Sequence, residues 1–383
     1  MSGISFVLND AQNAMREMAQ DFAATQLAPF AITWDREKFF PVQTLRAAAA
    51  LGMGGIYVNP EHGGSGLSRL DAALIIEALA TGCPTIAAYI SIHNMVAGMV
   101  DRYGTTAQRA RYLEKLCSME TLASYCLTEP AAGSDAASLR MTARRDGDFY
   151  IVNGVKQFIS GAGVSEFYLV MARTGGPGAA GISALIVEGN TAGLSFGAEE
   201  HKMGWNAQPT RQVILQDARI PAENLLGAEG QGFKIAMAGL DGGRLNIGAA
   251  SLGGAQSALD KTIAYVQQRE AFGRPIGQFQ ALQFRIADMA TELQAARLML
   301  WRAATALDAA DPQATQYCAM AKRFSTDICF GIANEALQLH GGYGYLSDYG
   351  IEKIVRDLRV HQILEGTNEI MRQIISRQIL AAK

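Results

Sequence analysis

The sequence predicts an α+β multidomain protein. It reads as an N-terminal all-α domain (residues 1–120), a middle β domain (121–232) and a C-terminal four-helix-bundle domain (233–383). Three observations carry that prediction. A chain of 383 residues is long enough for two or three domains, each with its own core. Apolar periodicity is helical in the first third, gives way near Thr121 to short runs bounded by turn residues, and becomes helical again from Phe233. The order all-α, β, all-α argues for separate layers rather than a doubly wound sheet.

Composition narrows the function classes. Hydrophobic residues make up 49% and charged residues 18%, so the chain is core-rich and globular. A net charge of −3 with no long basic run argues against nucleic acid as the main partner. The cysteines, Cys83, Cys117, Cys126, Cys318 and Cys329, are scattered and lack a C-x-x-C pair. They read as reduced, buried thiols and not as a disulfide frame or a metal site. The five histidines are dispersed without paired ligand spacing, so no metal is expected. Asp10, Glu17 and Asp21 break any basic-plus-apolar leader pattern, and no apolar stretch is long enough to span a bilayer.

Each element has its own signal. Over residues 9–28, Ala11, Met15, Met18 and Phe22 recur at helical spacing, and Pro29 stops the run. Further helices are expected over 44–51, 69–81, 89–103 and 106–117, the second of these after a glycine-rich loop, 61–66. Strands are expected over 149–155, 167–173, 182–187 and 212–215, with Asp146-Gly147 and Asn153-Gly154 as turns. Helices then return over 233–268, 279–309, 312–340, 349–358 and from Thr367 to about Leu380. Long amphipathic helices with short loops point to a bundle.

Five stretches carry chemistry. In 361–372 an apolar run ends in Glu365, followed by Gly366 and Thr367, a good N-cap. Taken alone, Glu365 reads first as an exposed helix-capping residue, because short motifs match by chance. Held against apolar neighbours it would lose hydration, its pKa would rise, and it would suit a general base near neutral pH. Residues 125–135 supply hydroxyls, small residues and free amides where helix gives way to sheet, as a close-fitting cofactor loop would. Residues 269–276 place Arg269 beside Phe272 on a Gly/Pro turn, which suits a pyrophosphate and an adenine, or simply makes a helix-hairpin turn. Residues 339–345 end a helix in glycines that permit a close backbone approach. Asp241-Gly242-Gly243-Arg244 puts two glycines inside a helix, at a cost of about 1 kcal/mol each, so packing or ligand access requires them. Gly176–Gly181 spells G-x-G-x-x-G, but it joins two strands and contains a proline, so it reads as a hairpin loop.

Together, 125–135, Phe158-Ile159-Ser160, 269–276, 338–342 and 365–369 resemble the acyl-CoA dehydrogenase family, in its order and at its spacing. Within the family, 63–83, 89–95, 204–210 and 361–372 most resemble the members acting on isobutyryl-CoA. The resemblance implies an N-terminal helical domain, a middle β-barrel domain and a C-terminal helical bundle, with FAD between the last two. It places Tyr125, Cys126, Leu127 and Thr128, with Phe158, Ile159 and Ser160, against the flavin. Phe158 stands where some relatives have tryptophan. Gly133 and Ser134 would border the flavin, and Ser134 the acyl-CoA as well. Arg269, Phe272 and Gln280 would hold FAD from a neighbouring subunit. Gln338, Leu339, Gly341 and Gly342, and Thr367, Asn368 and Glu369, would complete the site. Asp241, Arg244, Gly366 and Arg377 would meet the acyl-CoA.

The implied reaction is α,β-dehydrogenation, isobutyryl-CoA to methacrylyl-CoA as in valine breakdown, with 2-methylbutyryl- or butyryl-CoA as alternative substrates. Glu365 would take the α proton while the β hydrogen leaves as hydride to flavin N5. Some members carry the base near the position of Gly243, where this chain has no carboxylate. The family further implies an electron-transfer flavoprotein as acceptor and a homotetramer. A cytoplasmic bacterial protein, or a processed one of the mitochondrial matrix, would fit. A flavin-free binding relative is the non-enzymatic alternative.

Overall fold

The computed structural model describes residues 7–381. The first third is helical: α1 (Asp10–Phe22), α2 (Ala31–Glu37), α3 (Val42–Ala50), α4 (Arg69–Gly82), α5 (Pro84–Tyr103) and α6 (Thr106–Cys117). Capping boxes start three of them, at Asn9/Gln12, Ser68/Asp71 and Thr105/Gln108, each satisfying two otherwise orphaned N–H groups. The run expected over 9–28 is α1 continued by a π turn, Ala23–Leu27. α2, which lies just past Pro29, was not expected. α5 begins five residues before its expected start, because Pro84–Ala88 are buried on every side and show no periodicity.

The middle third holds β1 (Ala123–Cys126), β2 (Thr142–Asp146), β3 (Phe149–Ser160), β4 (Phe167–Arg173), β5 (Ile182–Glu188), β6 (Leu194–Phe196), β7 (Thr210–Pro221) and β8 (Leu225–Leu226). They form one eight-stranded sheet in the order β6-β7-β3-β2-β4-β5-β8, with β1 parallel on β4. Among the described residues the strands of this middle β domain pair along one path, and no ladder joins β6 to β8. Asn153-Gly154, expected to be a turn, lies inside β3. The register against β7 shifts there, and Gly154 takes φ +149°. That is a bulge, which costs one residue of register without ending the strand. Gly176–Gly181 does join the antiparallel pair β4 and β5.

The last third holds α7 (Gly232–Gln268), the short hairpin β9 (Glu270–Ala271) and β10 (Arg274–Pro275), α8 (Gln280–Asp308), α9 (Ala314–Leu339), α10 (Ile351–Arg359) and α11 (Asn368–Ala381). α7 is the spine: it packs on α8 and α9 and also on α4 and α5 of the first third, so the two helical parts share one core. α10 and α11 lie against α9. All five cysteines are free and buried. No described helix is long and apolar enough to cross a membrane.

Candidate active site

Glu365 sits in the link between α10 and α11. A 3₁₀ turn, Val360–Gln362, leads into it, and the N–H groups of Ile363 and Leu364 both bond the Val360 carbonyl. His361 anchors this turn. Trp205 Nε1–H donates to His361 Nε2 (3.3 Å), Ser251 Oγ lies 2.7 Å from Nδ1, and the Ser251 hydroxyl donates to the Ile247 carbonyl. With Nε2 accepting and the Ser251 proton engaged elsewhere, Nδ1 carries the ring proton and donates to Ser251. Burial and the nearby Lys322 push the His361 pKa down to about 3, so the ring is neutral.

The link then adopts two left-handed residues in a row, Glu365 (φ +56°) and Gly366 (φ +92°). Such a conformation costs a non-glycine residue about 1–3 kcal/mol and persists only when its surroundings enforce it. α11 starts at once, with the Thr367 hydroxyl accepting from Ile370 N–H (3.3 Å). Among the described residues, the N–H groups of Glu365 through Glu369 donate to no protein acceptor. Five free donors at a helix N-terminus favour an anion or a polar ligand edge.

The carboxylate of Glu365 points at α7. Its Oε2 is buried and has no hydrogen-bond partner. A Cβ on Gly243 would lie 2.6 Å from that oxygen, so glycine at 243 makes the space the carboxylate occupies. Burial raises the Glu365 pKa to about 7 against the pull of Arg244 and Lys322. Arg244 Nη1 pairs with Asp241 (2.6 Å) and its Nε donates to the Glu365 carbonyl (3.3 Å). Asp241 also accepts from Thr315 (2.7 Å). The structure therefore brings Asp241, Arg244, Glu365 and Gly366 together.

Sequence reasoning missed other members of this cluster. Tyr57 stands beneath the Arg69 guanidinium, 3.7 Å from ring centroid to Cζ, and feels the Glu365 charge. The Tyr57 hydroxyl and Asn246 Nδ2 are buried beside one another. Lys322 is also here, wholly buried. Its signal was readable: Cys318, Lys322, Ser325 and Cys329 share one helical face, and a lysine in such a stripe is an anomaly.

Tyr125, at the end of β1, feels both Glu365 and Arg244, and its buried hydroxyl has no partner. Its neighbours differ. The side chains of Cys126 and Ile159 lie inside the sheet core, so only their backbone can meet a ligand. Leu127 is buried, and its carbonyl accepts from Lys156 (3.0 Å), while that of Thr128 accepts from Gln157 N–H (2.8 Å). Phe158 is displayed by a second bulge in β3, with φ +59° and 63% exposure. The Ser160 carbonyl is engaged by Ser124. Gly133 and Ser134 are exposed in the following loop, and a Cβ on Gly133 would touch nothing.

At Asn368 only the backbone N–H is left for a ligand. Its side-chain amide is saturated by the protein, donating to Asp327 (2.6 Å) and Thr326 (2.9 Å) and accepting from Lys322 (2.9 Å). Its side chain has nothing left for a cofactor. Glu369 is exposed beside Arg372, and Arg377 is exposed without an ion pair among the described residues.

A separate cleft of about 430 Å³ is lined by Tyr265, Arg269, Ile276, Gln338, Leu339 and residues 340–343 and 346. Arg269, Gln338, Leu339, Gly341 and Gly342 therefore meet there. A Cβ on Gly341 or Gly342 would enter open space. Phe272, 94% exposed, and Gln280, exposed at the start of α8, stand beyond its lining.

Residues 9–120, 124–218 and 230–380 match the N-terminal, middle and C-terminal domains of acyl-CoA dehydrogenases. The chain belongs to the acyl-CoA dehydrogenase family. It is 57% identical over 373 residues to mitochondrial isobutyryl-CoA dehydrogenase of Dictyostelium discoideum, covering 97% of this chain and 90% of that one. It is 54% identical to the Bos taurus protein of the same name, over 98% of this chain and 90% of that one. The structure of butyryl-CoA dehydrogenase from Megasphaera elsdenii superposes with a TM-score of 0.96 at 36% identity, over 98% of this chain and all of that one. This acyl-CoA dehydrogenase is thus an oxidoreductase of a flavoprotein family. Its residues fit a flavin nucleotide: the orphaned Tyr125 hydroxyl, the free N–H row at 365–369, and the open backbone at Gly133, Gly341 and Gly342.

Proposed function

We propose that this enzyme uses FAD to dehydrogenate a short branched acyl-CoA, isobutyryl-CoA first, giving methacrylyl-CoA in valine breakdown. The observation that carries the reading is the carboxylate of half-buried Glu365, with Oε2 itself buried and unpartnered and the pKa raised to about 7. A base of that pKa can accept an α proton at neutral pH and does not stay protonated throughout. The names of the two relatives above 50% identity support the substrate.

In this reading Glu365 removes the α proton. FAD, when bound, would supply the two-electron acceptor for the β hydrogen, so that loss of the α proton to Glu365 and of the β hydrogen as hydride would leave a carbon–carbon double bond in the product. The Glu365 N–H donates to the thioester oxygen and steadies the charge that develops there. Arg244 fixes the Glu365 carbonyl and is itself fixed by Asp241. Tyr125, the 127–128 backbone, Phe158, and the N–H groups of 367–369 would line the flavin, and closure around the ligand would exclude water. Arg269, with Gln338 to Gly342, would hold the distal part of FAD from a neighbouring subunit of a homotetramer. An electron-transfer flavoprotein would reoxidise the enzyme.

The test is anaerobic titration of the purified protein with isobutyryl-, 2-methylbutyryl-, butyryl- and isovaleryl-CoA, followed in the visible flavin band. Fastest bleaching by isobutyryl-CoA is expected. Faster bleaching by butyryl- or 2-methylbutyryl-CoA would reassign the substrate. A protein that stays colourless after FAD is added would overturn the reading.

A further inference from the structure

Lys322, on α9, has no part in the chemistry above. It is wholly buried, yet touches no carboxylate. Its Nζ donates instead to the Gly366 carbonyl (2.8 Å) and to Asn368 Oδ1 (2.9 Å). Both acceptors belong to the turn that carries Glu365. A buried ammonium without a contact ion pair is costly, and an apolar side chain would fill the same space more cheaply. The position therefore calls for a reason beyond packing.

The surroundings supply one. Glu365 is faced by Arg244 from α7, Lys322 from α9, Tyr125 from β1, and Tyr57 from the segment before α4. Arg244 is already neutralised by Asp241 at 2.6 Å. Lys322 is faced by Glu365, Arg244, Asp327 of its own helix and Glu369 of α11. Asp327 is engaged by Asn368 and Gln362, and Glu369 is exposed. Lys322 is thus the unneutralised cation beside a carboxylate that burial would otherwise protonate. Burial lowers its own pKa to about 7, and Glu365 is the strongest influence keeping it charged.

We infer that Lys322 is a positioning residue for Glu365: its ammonium pins the Gly366 carbonyl, holds the left-handed turn and, beside Arg244, favours the ionised form of the Glu365 carboxylate. The inference rests on Glu365 being the base.

The test compares Lys322→Met, Lys322→Gln and Lys322→Arg as holoproteins with wild type and Glu365→Gln. Two readouts are followed against pH. One is the rate of anaerobic flavin bleaching by isobutyryl-CoA and by butyryl-CoA. The other, in resting protein, is the infrared band of the protonated carboxyl that Glu365→Gln lacks. Lys322→Met and Lys322→Gln are expected to move the acid limb and the infrared titration up by about one pH unit, with about tenfold slower bleaching below the limb. Lys322→Arg is expected to keep the wild-type position. An unmoved acid limb in Lys322→Met or Lys322→Gln overturns the inference, as does a shift in Lys322→Arg equal to theirs. Failure of both uncharged variants to load FAD, with Lys322→Arg loading normally but titrating away from wild type, would mark a purely structural demand and overturn it too. Bleaching by Glu365→Gln would bring down the base assignment and this inference together. A dead Glu365→Gln beside an unshifted Lys322→Met would bring down only the latter.

Discussion

A carboxyl group moved out of water holds its proton to higher pH, and the chain pays for that placement at two residues. Glu365 accepts a left-handed backbone, and position 243 gives up its side chain. Glu365→Gln should therefore keep the fold and FAD while losing about 10²- to 10⁴-fold in turnover, the usual contribution of a general base. Flavin absorbance and steady-state assay of the same sample check both halves, and substantial residual turnover would count against the base. Gly243→Ala puts a methyl group 2.6 Å from Glu365 Oε2, so it should slow flavin reduction with little effect on thermal stability. An equal reduction rate would mean that the carboxylate has somewhere else to go. The pH dependence follows from the sign of the shift. With the pKa raised to about 7, the base form is lost as pH falls through that value, so the reduction rate should rise with pH across neutrality. The sequence carried Glu365, Arg244 and the glycine pair on its face. It hid Tyr57, Arg69 and Asn246, because they meet only through the packing of α4, α5 and α7.

At the scale of elements, the site depends on irregularities that periodicity does not encode. The long helices were legible through their length, many turns between clear breaks in the chain. β2 was not, since Thr142–Asp146 exposes four of its five residues and is held by its neighbours. The second bulge in β3 turns Phe158 outward and keeps Ile159 in the core, and three adjacent letters cannot reveal that split. What holds the loop opposite Phe158 is a buried pair. Lys156 Nζ reaches Glu129 (2.7 Å) and the Leu127 carbonyl (3.0 Å), and Glu129 also accepts from the Arg140 and Met141 N–H groups. Burial works against the Glu129 charge, but Lys156 and those N–H donors outweigh it and hold its pKa below the ordinary value. Lys156→Met leaves a buried carboxylate without its cation, which costs about 3–5 kcal/mol. A lower Tm and weaker FAD retention are expected, with part of the Tm restored by adding Glu129→Leu. A Tm within error of wild type for Lys156→Met would show that the pair does not brace the loop.

At the scale of the molecule, the predicted cofactor residues fall into two groups. The first surrounds the Glu365 turn and β1. The second lines the cleft with Arg269 and Gln338 to Gly342, and no residue of the Glu365 turn lines that cleft. A sequence is read along one chain, so it could report both groups but not whether they serve one cofactor molecule or two. In the proposed reading one FAD uses both, the second group coming from a neighbouring copy, and assembly is then a condition for holding the cofactor. Two linked outcomes follow. Dilution should release FAD in step with dissociation of the oligomer, seen as recovered flavin fluorescence beside the mass from light scattering. Arg269→Ala should weaken FAD retention about tenfold or more, because a charge-assisted bond to a phosphate contributes about 1.5–3 kcal/mol. It should leave the acid limb of flavin reduction where wild type has it, since Arg269 does not act on Glu365. Unchanged FAD affinity in Arg269→Ala would remove that cleft from the cofactor site. FAD held equally well by dissociated single chains would remove the need for a second copy and place the whole cofactor beside Glu365.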